Sequence, residues 1–322
     1  MLRRISLFGL FLTALCGSAA AQQYPVKPVR MIAPIAPGGA ADIVCRMLAD
    51  RLTRSLGQQF VVENLPGATG VVGAQAAARA VPDGYTIYFG PSSSLATAVH
   101  TFKSLPYDPA KDFVAISMIV TSGPSVIAVH PDVPAKTLAE LIALAKSKPG
   151  ALSYGVDVSS GLAVTAGRLF TKSAGIQMTE VSYKAGSQAM IDVMAGQVQA
   201  VVGSAAMIRT AANSGKVRRL AISSDRRFPG LDDLPTMAET LPGVALDGFF
   251  ALVAPTGTPA VAIRTLNREM DAILKDPVIV NRLLDFGLAT TGAGTPESTD
   301  EFLRVERDRW GRVIRELGIE KQ

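Results

Sequence analysis

The sequence predicts an α/β protein whose 322 residues form two lobes, each a mixed sheet flanked by helices. Three observations support this fold class. Short β-rich runs alternate with helical patterns along almost the whole chain. Hydrophobic residues make up 48% of the chain and charged residues only 18%, and the length is about twice that of a common domain. Such alternation is typical of a parallel or mixed sheet covered by helices on both faces.

Strands are predicted where β-branched and aromatic residues cluster between Gly, Pro or Ser residues. Seven segments have this composition: residues 29–33, 60–63, 85–89, 126–129, 180–183, 200–202 and 220–223.

Helices are predicted where apolar residues recur every three or four positions. One such pattern covers residues 44–56 and is followed by Gly57, the residue type that commonly ends a helix. A second pattern over 138–144 follows Thr137 and Glu140, which have the spacing of a capping box. Both segments therefore have the length and the end signals of helices that cover a sheet.

The C-terminal helix is predicted to start at residues 295–296, a Thr-Pro pair. The boundaries between lobes are expected at residues 121–124 and around 241–243, where Gly and Pro precede apolar runs that can cross from one lobe to the other. This gives a first lobe of residues 22–122 and 248–322, a second lobe of residues 123–247, and a cleft between them.

The first 21 residues are predicted to be a signal peptide. Arg3 and Arg4 precede a short apolar stretch at 5–15, and small residues follow up to Ala21, after which we expect cleavage. The apolar stretch is shorter than the roughly 20 residues that a bilayer span needs. The mature protein is therefore expected to be exported.

Composition excludes several classes of function. The formal net charge of +5 comes without long Lys or Arg runs, so nucleic acid is not expected as a partner. Two Cys and two His residues are too few for a structural zinc site or a disulfide scaffold. After cleavage Cys45 is the single thiol, and it is expected to be buried in the core. No metal and no cofactor are expected.

Five loops of small residues follow strand-like segments and lead into helical patterns. The N–H groups and the dipole at a helix N-terminus hold a carboxylate or phosphate without Lys or Arg, and Gly and Ser allow close approach and add donors. In open α/β sheets such loops lie at the carboxyl ends of the strands, where ligands bind. The sequence thus predicts an anion site formed by residues 34–42, 90–94, 154–161, 184–187 and 203–204.

Signals for other chemistry are absent. Gly67, Gly70 and Gly73 are spaced G-x-x-G-x-x-G, which is not a dinucleotide fingerprint, and no phosphate-binding loop with a following Lys is present. His100 and His130 belong to no cluster with metal-ligand spacing, and no G-x-S-x-G nucleophile motif occurs. No catalytic residue is therefore predicted.

Five groups of segments stand out together: residues 24–30 with 36–42, 62–68, 82–86, 183–186 with 195–198, and 234–236 with 254–259. In their order and spacing they resemble the Bug-type solute receptors of the tripartite tricarboxylate transporter family. The match covers nearly all of the mature chain.

This resemblance implies a two-lobed periplasmic binding protein of the Venus-flytrap, type II-like class. Such a protein is expected to be a monomer, and it is not expected to be an enzyme. It closes on a small organic acid, which can be a dicarboxylate, a tricarboxylate or an aromatic carboxylate, and delivers it to a membrane permease of the tripartite tricarboxylate type. The resemblance places ligand contacts at Gly38, Gly39, Ala40, Asp42, Ser92, Ser93 and Ser94 in the first lobe and at Asp157, Ser159, Ser160, Gly186 and Ser204 in the second.

The chain departs from the family pattern near the expected ligand. Val164 stands where the family often has His, Gly203 where Asp is common, Phe249 where Trp is frequent, and Arg168 where Glu is usual. The loss of His and Asp leads to the hypothesis that the ligand is a less polar, aromatic carboxylate.

Two other functions remain open from the sequence. An exported α/β hydrolase or isomerase would need a nucleophile and base pair, which the sequence does not show. A receptor component that senses a ligand for a signalling partner would use the same cleft as a transport receptor.

Overall fold

The computed structural model describes residues 24–157 and 161–321. The predicted signal peptide, residues 1–21, lies outside the described residues, as do Ser159 and Ser160 of the predicted site. Two mixed sheets, each flanked by helices, form two lobes, which confirms the predicted fold class.

Lobe 1 contains a six-stranded sheet with the order β11-β4-β10-β3-β1-β2. Strand β1 is parallel to both β2 and β3, whereas β10 runs antiparallel to β3 and β4, and β11 runs antiparallel to β4. The strands are β1 (Val29–Ala33), β2 (Phe60–Asn64), β3 (Thr86–Pro91), β4 (Phe113–Ser122), β10 (Phe249–Pro255) and β11 (Leu288–Ala289).

Lobe 2 contains a five-stranded sheet with the order β7-β6-β8-β5-β9. Strand β6 is parallel to β7 and β8, and β5 is antiparallel to β8 and β9. The strands are β5 (Ser125–Val129), β6 (Ser153–Asp157), β7 (Thr179–Tyr183), β8 (Ala200–Ser204) and β9 (Arg218–Ile222).

Helices follow most of the strands, and among the described residues none is long and apolar enough to cross a membrane. In lobe 1 they are α1 (Ala40–Leu56), α2 (Val71–Ala78), α3 (Ala98–Thr101), α9 (Ala260–Leu274), α10 (Pro277–Asp285) and α11 (Pro296–Leu317). In lobe 2 they are α4 (Leu138–Ser147), α5 (Gly161–Ser173), α6 (Gly186–Met194), α7 (Ala205–Asn213) and α8 (Met237–Thr240).

Alternation along β1 shows how the first sheet is buried on both faces. Met31 packs into a cluster with α1, whereas the next residue, Ile32, packs into a cluster on the opposite face. Cys45 on α1 is fully buried in the first cluster, and its thiol lies 3.3 Å from the sulfur of Met31. Burial raises the pKa of this thiol to about 12, so it stays protonated and unreactive.

The predicted helix ends are found with one difference. Gly57 follows α1 in the left-handed conformation at φ 70°, and Thr137 caps α4 by accepting a hydrogen bond from the Glu140 amide. The side chain of Glu140 does not complete the capping box, because it accepts from the backbone N–H of Lys136 instead.

The seven predicted strands are present, with ends shifted by up to two residues, and the structure adds β4, β6, β10 and β11. Strand β4 pairs with β10 on one side and β11 on the other, and its pairing with β10 contains register shifts. Those irregularities break the period-two pattern by which a strand is identified from sequence.

Two connections join the lobes. The first is the two-residue step from Ser122 at the end of β4 to Ser125 at the start of β5, which spans at most about 11 Å. A Cβ atom on Gly123 would lie 2.3 Å from the carbonyl oxygen of Gly287, so no side chain fits there. The second connection returns from β9 to β10 through residues 223–248.

Candidate functional site

Topology brings two sheet edges to the lobe connection. In lobe 1 the parallel strands β1, β2 and β3 end at one edge, and β4 ends there too because β10 is antiparallel to both β3 and β4. In lobe 2, β6, β7 and β8 end at one edge, where Ser204 is paired with Ser125, the first residue of β5. Since β4 leads directly into β5, the two carboxyl edges flank the same short connection. We call the space between them the cleft.

The loop after β1 forms the first part of the lobe 1 edge. Residues 36–40 are exposed, and Gly38 has a φ of +84°, a conformation that favours glycine. Gly39 is the N-cap of the 17-residue helix α1, so the first amides of that helix have no partner within it. The exposed loop with these amides is the kind of site that binds a carboxylate.

Asp42 holds this loop in place. Its Oδ2 accepts hydrogen bonds from the Gly38 amide at 2.9 Å and from Arg46 Nε at 3.0 Å, and its Oδ1 accepts from Asn64 Nδ2 at 2.8 Å. Burial raises the pKa of the carboxyl, but these three hydrogen bonds outweigh burial and keep the pKa below its usual range. Asp42 is 3% exposed, so the structure gives it the role of a loop anchor.

The serines after β3 divide into two kinds. Ser94 is fully buried, with its Oγ 2.8 Å from the hydroxyl of Tyr88, and its backbone carbonyl accepts from the hydroxyl of Tyr107. Ser92 and Ser93 are half-buried at the edge, and within residues 24–157 and 161–321 their hydroxyls have no hydrogen-bond partner. A π-helical turn over Ser93–Thr97 separates the two kinds by directing Ser94 inward.

A segment that was not predicted to belong to the site lies beside these serines. Residues 67–70 follow β2, and all four have positive φ, including the non-glycine residues Ala68 and Thr69. A Cβ on Gly70 would lie 3.3 Å from the Cβ of Ser94 and 3.6 Å from that of Pro34, so this segment packs between the other two loops. Left-handed non-glycine residues are costly and cluster at ligand sites. The glycine spacing noted in the sequence was its only signal.

In lobe 2 an aspartate again holds a loop. Asp157 Oδ2 accepts a hydrogen bond of 3.0 Å from the Gly186 amide, which links the ends of β6 and β7. Ser204 caps α7 by accepting from the Met207 amide at 3.3 Å. Ser159 and Ser160 lie outside the described residues.

Met207 is a cleft residue that sequence reasoning missed. A Cβ on Gly186 would lie 2.4 Å from its sulfur, and a Cβ on Gly203 would lie 2.0 Å from its terminal methyl carbon. Its side chain therefore covers both glycines and gives the lobe 2 edge an apolar surface. This contact depends on the packing of α7 against α6, for which the sequence carries no local signal.

The family departures fall at different places in the structure. Arg168 pairs with Glu180 through two hydrogen bonds of 2.7 and 2.8 Å, and Val164 packs against the core. Phe249 is 2% exposed and packs edge-to-face on Phe302, so it is a core residue and not part of the cleft edges. Of the departures, Gly203 lies at the cleft, beneath the side chain of Met207.

The two edges present backbone amides and serine hydroxyls. Within the described part of the chain, no three His, Cys, Asp or Glu side chains are close enough to hold a metal ion. The ionised carboxylate of Asp42 is paired with Arg46 and accepts from Gly38 and Asn64, and the amides of the α1 N-terminus add an electropositive group to the lobe 1 edge.

Comparison with known proteins relates this fold and site to one family. The family model described as "Tripartite tricarboxylate transporter family receptor" matches residues 44–319. Protein BugT of Bordetella pertussis is 35% identical over 323 residues, covering 99% of this chain and 98% of BugT.

Two solved structures combine a similar fold with a bound acid. R. palustris Rpa4515 with adipate has a TM-score of 0.74 and 30% identity, covering 93% of this chain and all of that one. MatC (Rpa3494) from Rhodopseudomonas palustris with bound malate has a TM-score of 0.70 and 28% identity, covering 90% of this chain and all of MatC.

Proposed function

Since the chain belongs to the tripartite tricarboxylate transporter receptor family, we propose that it captures a small organic carboxylate in its cleft without changing it covalently. The observation that carries this proposal is the matched pair of loop anchors, Asp42 on Gly38 in lobe 1 and Asp157 on Gly186 in lobe 2. The anchors fix two loops rich in amides and hydroxyls at edges that flank one connection. The acids bound to Rpa4515 and MatC, adipate and malate, are both dicarboxylates.

Lobe 1 supplies the carboxylate subsite in this proposal. Amides of Gly39 and Ala40 at the start of α1 donate to one carboxylate, and the hydroxyls of Ser92 and Ser93 donate beside them. Asp42 and Ser94 act as positioning residues because their own polar atoms are already engaged.

Lobe 2 completes the site when the lobes close. A ligand favours the closed form only if it touches both lobes, because only then does its affinity differ between open and closed forms. The contacts proposed for lobe 2 are the hydroxyl of Ser204, the side chain of Met207 over Gly186, and Ser159 and Ser160, which follow Asp157 in the sequence. Residues 22–122 with 248–322 would move against residues 123–247 about the two connections.

We propose a ligand with an apolar body between polar ends. The side chain of Met207 lies over Gly186 and Gly203 at the lobe 2 edge, where a thioether favours apolar or aromatic contact. Arg168 is paired with Glu180 and supplies no charge for a further carboxylate. An adipate-like or aromatic acid matches this surface better than a densely charged acid such as citrate.

The family places the mature protein in the periplasm. We propose that cleavage after Ala21 releases it there as a monomer, that it passes its ligand to a membrane permease of the tripartite tricarboxylate type, and that it has no enzymatic activity. The basis for the permease is family membership, and the basis for the lack of activity is that the described cleft residues include no paired nucleophile and base.

A ligand panel tests the function. The mature protein is titrated by calorimetry with adipate, malate, benzoate, phthalate and citrate, and the mixture is then analysed by mass spectrometry. We expect saturable binding of one or more acids with an apolar body and full recovery of the unchanged acid. Failure to bind any carboxylate contradicts the receptor function, consumption of the acid contradicts the non-enzymatic mechanism, and binding of citrate alone contradicts the apolar body.

A further inference from the structure

A second cavity, of about 390 Å³, lies beside the lobe connections. It is bounded by the ends of β4 and β10, by helix α11, and by the chain that follows β9, so both lobes contribute to it. None of the predicted cleft residues lines it. We call it the hinge cavity, and the residues that matter here are Asp225, Asp247, Phe249, Phe302, Glu306 and Arg309.

Two carboxylates of the hinge cavity have oxygens without partners. Glu306 is only 3% exposed; its Oε1 lies 3.2 Å from Arg309, whereas its Oε2 has no hydrogen-bond partner among the described residues. Asp247 Oδ1 is likewise buried without a partner in the described part of the chain. A buried carboxylate oxygen without a donor is costly, so these two oxygens mark a place where a donor is missing.

The charges around these oxygens do not balance. Arg309, with a side chain 25% exposed, serves both Glu306 and Asp225, the latter at 3.4 Å across the lobes. Arg226 reaches Asp225 at 3.6 Å but is 86% exposed, so solvent screens it. Burial raises the pKa of Asp247, as do the charges of Asp225 and Glu306, whereas the charge of Arg309 and a hydrogen bond from the backbone of Asp225 lower it.

Two further arginines do not change this balance. Arg227 also lines the cavity, but its guanidinium is already paired with Glu239 and donates to the carbonyl of Asp232. Arg312 affects Glu306 from the exposed side of α11. Among the described residues Arg309 is therefore the partly buried cation that these three carboxylates share, and the cavity is short of buried positive charge.

Two aromatic rings line one part of the cavity. Phe249 and Phe302 pack edge-to-face with ring centroids 5.1 Å apart. Phenyl faces attract cations and exclude water from an apolar chain. They offer no oxygen ligands for Ca²⁺ or Mg²⁺, which take six or more, and the described residues contain no three-ligand metal cluster.

We propose that the hinge cavity binds a small organic cation, a primary ammonium whose N–H groups donate to Asp247 Oδ1 and Glu306 Oε2 and whose apolar part lies against Phe249 and Phe302. This site is separate from the carboxylate cleft and does not depend on the cleft's ligand. The ammonium supplies donors to both oxygens together with a positive charge, which a neutral molecule of the same shape does not.

The probe for this site is 2-phenylethylammonium, with 2-phenylethanol as the uncharged molecule of matched shape. We expect calorimetry on the mature protein at pH 8 and low salt to show saturable ammonium binding with a dissociation constant on the order of 1 mM. The alcohol should bind at least about tenfold more weakly. At pH 5.5, protonation of Asp247, whose pKa burial raises to about 7, should weaken ammonium binding.

Variants assign the binding to the cavity. Glu306→Gln and Asp247→Asn should each weaken ammonium binding about tenfold, since each removes a charged acceptor but keeps the side chain's shape. Glu301→Gln is the matched control, because it lies on the same helix in an exposed pair with Arg304.

The control should bind as the unaltered protein does. The proposal is overturned if the ammonium does not saturate, if the alcohol binds equally well, or if Glu301→Gln weakens binding as much as the cavity variants. It is also overturned if the folded Asp247→Asn protein binds unchanged, so it remains testable even where Glu306→Gln does not fold.

Discussion

The carboxylate of Asp157 accepts a hydrogen bond of 3.0 Å from the backbone N–H of Gly186, and this bond ties the end of β6 to the start of α6. The same arrangement occurs in lobe 1, where the carboxylate of Asp42 accepts a hydrogen bond of 2.9 Å from the backbone N–H of Gly38. In each lobe an aspartate thus orders a small-residue loop at the cleft edge. Asp42 and Asp157 therefore act on the ligand through the loops that they fix. Their substitution should alter the geometry of the loops more than the charge at the ligand.

Gly39→Phe should block the cleft without disturbing the fold. Gly39 has an extended backbone at φ −77°, and a Cβ there would meet only the Ala36 carbonyl oxygen, at 3.9 Å. We expect carboxylate affinity to fall at least tenfold by calorimetry, while the thermal midpoint stays within about 1 °C, as is usual for an exposed site. Gly39→Ala is the control and should retain binding; equal binding by the Phe variant would show that this loop does not contact the ligand.

Asp42→Asn should lower stability by about 1–3 kcal/mol at pH 7, because three hydrogen bonds to a buried carboxylate are altered. The folded-state pKa of Asp42 is lowered, so its stabilisation is present above the unfolded value of about 3.9 and is lost as the pH falls through the folded value. Urea unfolding at pH 7 and pH 3 should therefore show a difference from the unaltered protein that shrinks in acid. A constant difference would mean that the charge of Asp42 is not what holds the loop.

Asp247→Asn should raise stability at pH 8. Burial, aided by the charges of Asp225 and Glu306, raises the pKa of Asp247 to about 7. When the pKa of an acid is raised by folding, its contribution to the free energy of unfolding is complete below its pKa in the unfolded chain, about 3.9. That contribution is lost as the pH rises through the folded-state pKa of about 7.

We expect the Asn variant to gain on the order of 1–2 kcal/mol over the unaltered protein at pH 8 and to match it near pH 4. Urea unfolding across this range measures the gain. Asp232→Asn, in an exposed loop, serves as the control. If Asp247→Asn is less stable than the unaltered protein at pH 8, the ionised carboxylate of Asp247 has favourable hydrogen-bond or charge partners in solution.

Gly123→Ala should strain the lobe connection. A Cβ at Gly123 would lie 2.3 Å from the Gly287 carbonyl oxygen, and a backbone atom cannot move aside as a flexible side chain can. We expect a loss of about 1–3 kcal/mol in stability together with a changed open-to-closed population in small-angle scattering with and without ligand. Gly39→Ala again provides an alanine control at an open site. If Gly123→Ala changes neither the scattering nor the stability, Gly123 does not constrain the motion of the lobes.

Much of the fold could be predicted because the information is local. The strand at 29–33 and the end of α1 at Gly57 follow from residue types at fixed spacing, and the model has both. Strand β4 escaped prediction because its pairing with β10 shifts register twice, so buried and exposed positions lose their alternation. Residues 113–122 form a strand because of their pairing with β10, and the local sequence pattern does not encode that pairing.

The candidate site was predictable as a set of loops but not atom by atom. Glycine and serine residues after the strands indicated the loops. However, the hydroxyl of Ser94 points inward to Tyr88, and the carboxylate oxygens of Asp42 accept hydrogen bonds from Gly38 and Asn64. Met207 reaches the cleft because α7 packs against α6, which only the assembled structure shows. The direction of a side chain depends on neighbours distant in sequence, and this is the part that sequence reasoning lacks.

The sequestered sulfur of Cys45 has a practical consequence for following the protein in solution. It is the only cysteine among the described residues and is closed off from solvent, so maleimide reagents should leave it untouched. A fluorophore attached to Ser92→Cys would then occupy a single known position on the cleft rim, and its emission would report solute capture in real time without a radiolabelled compound.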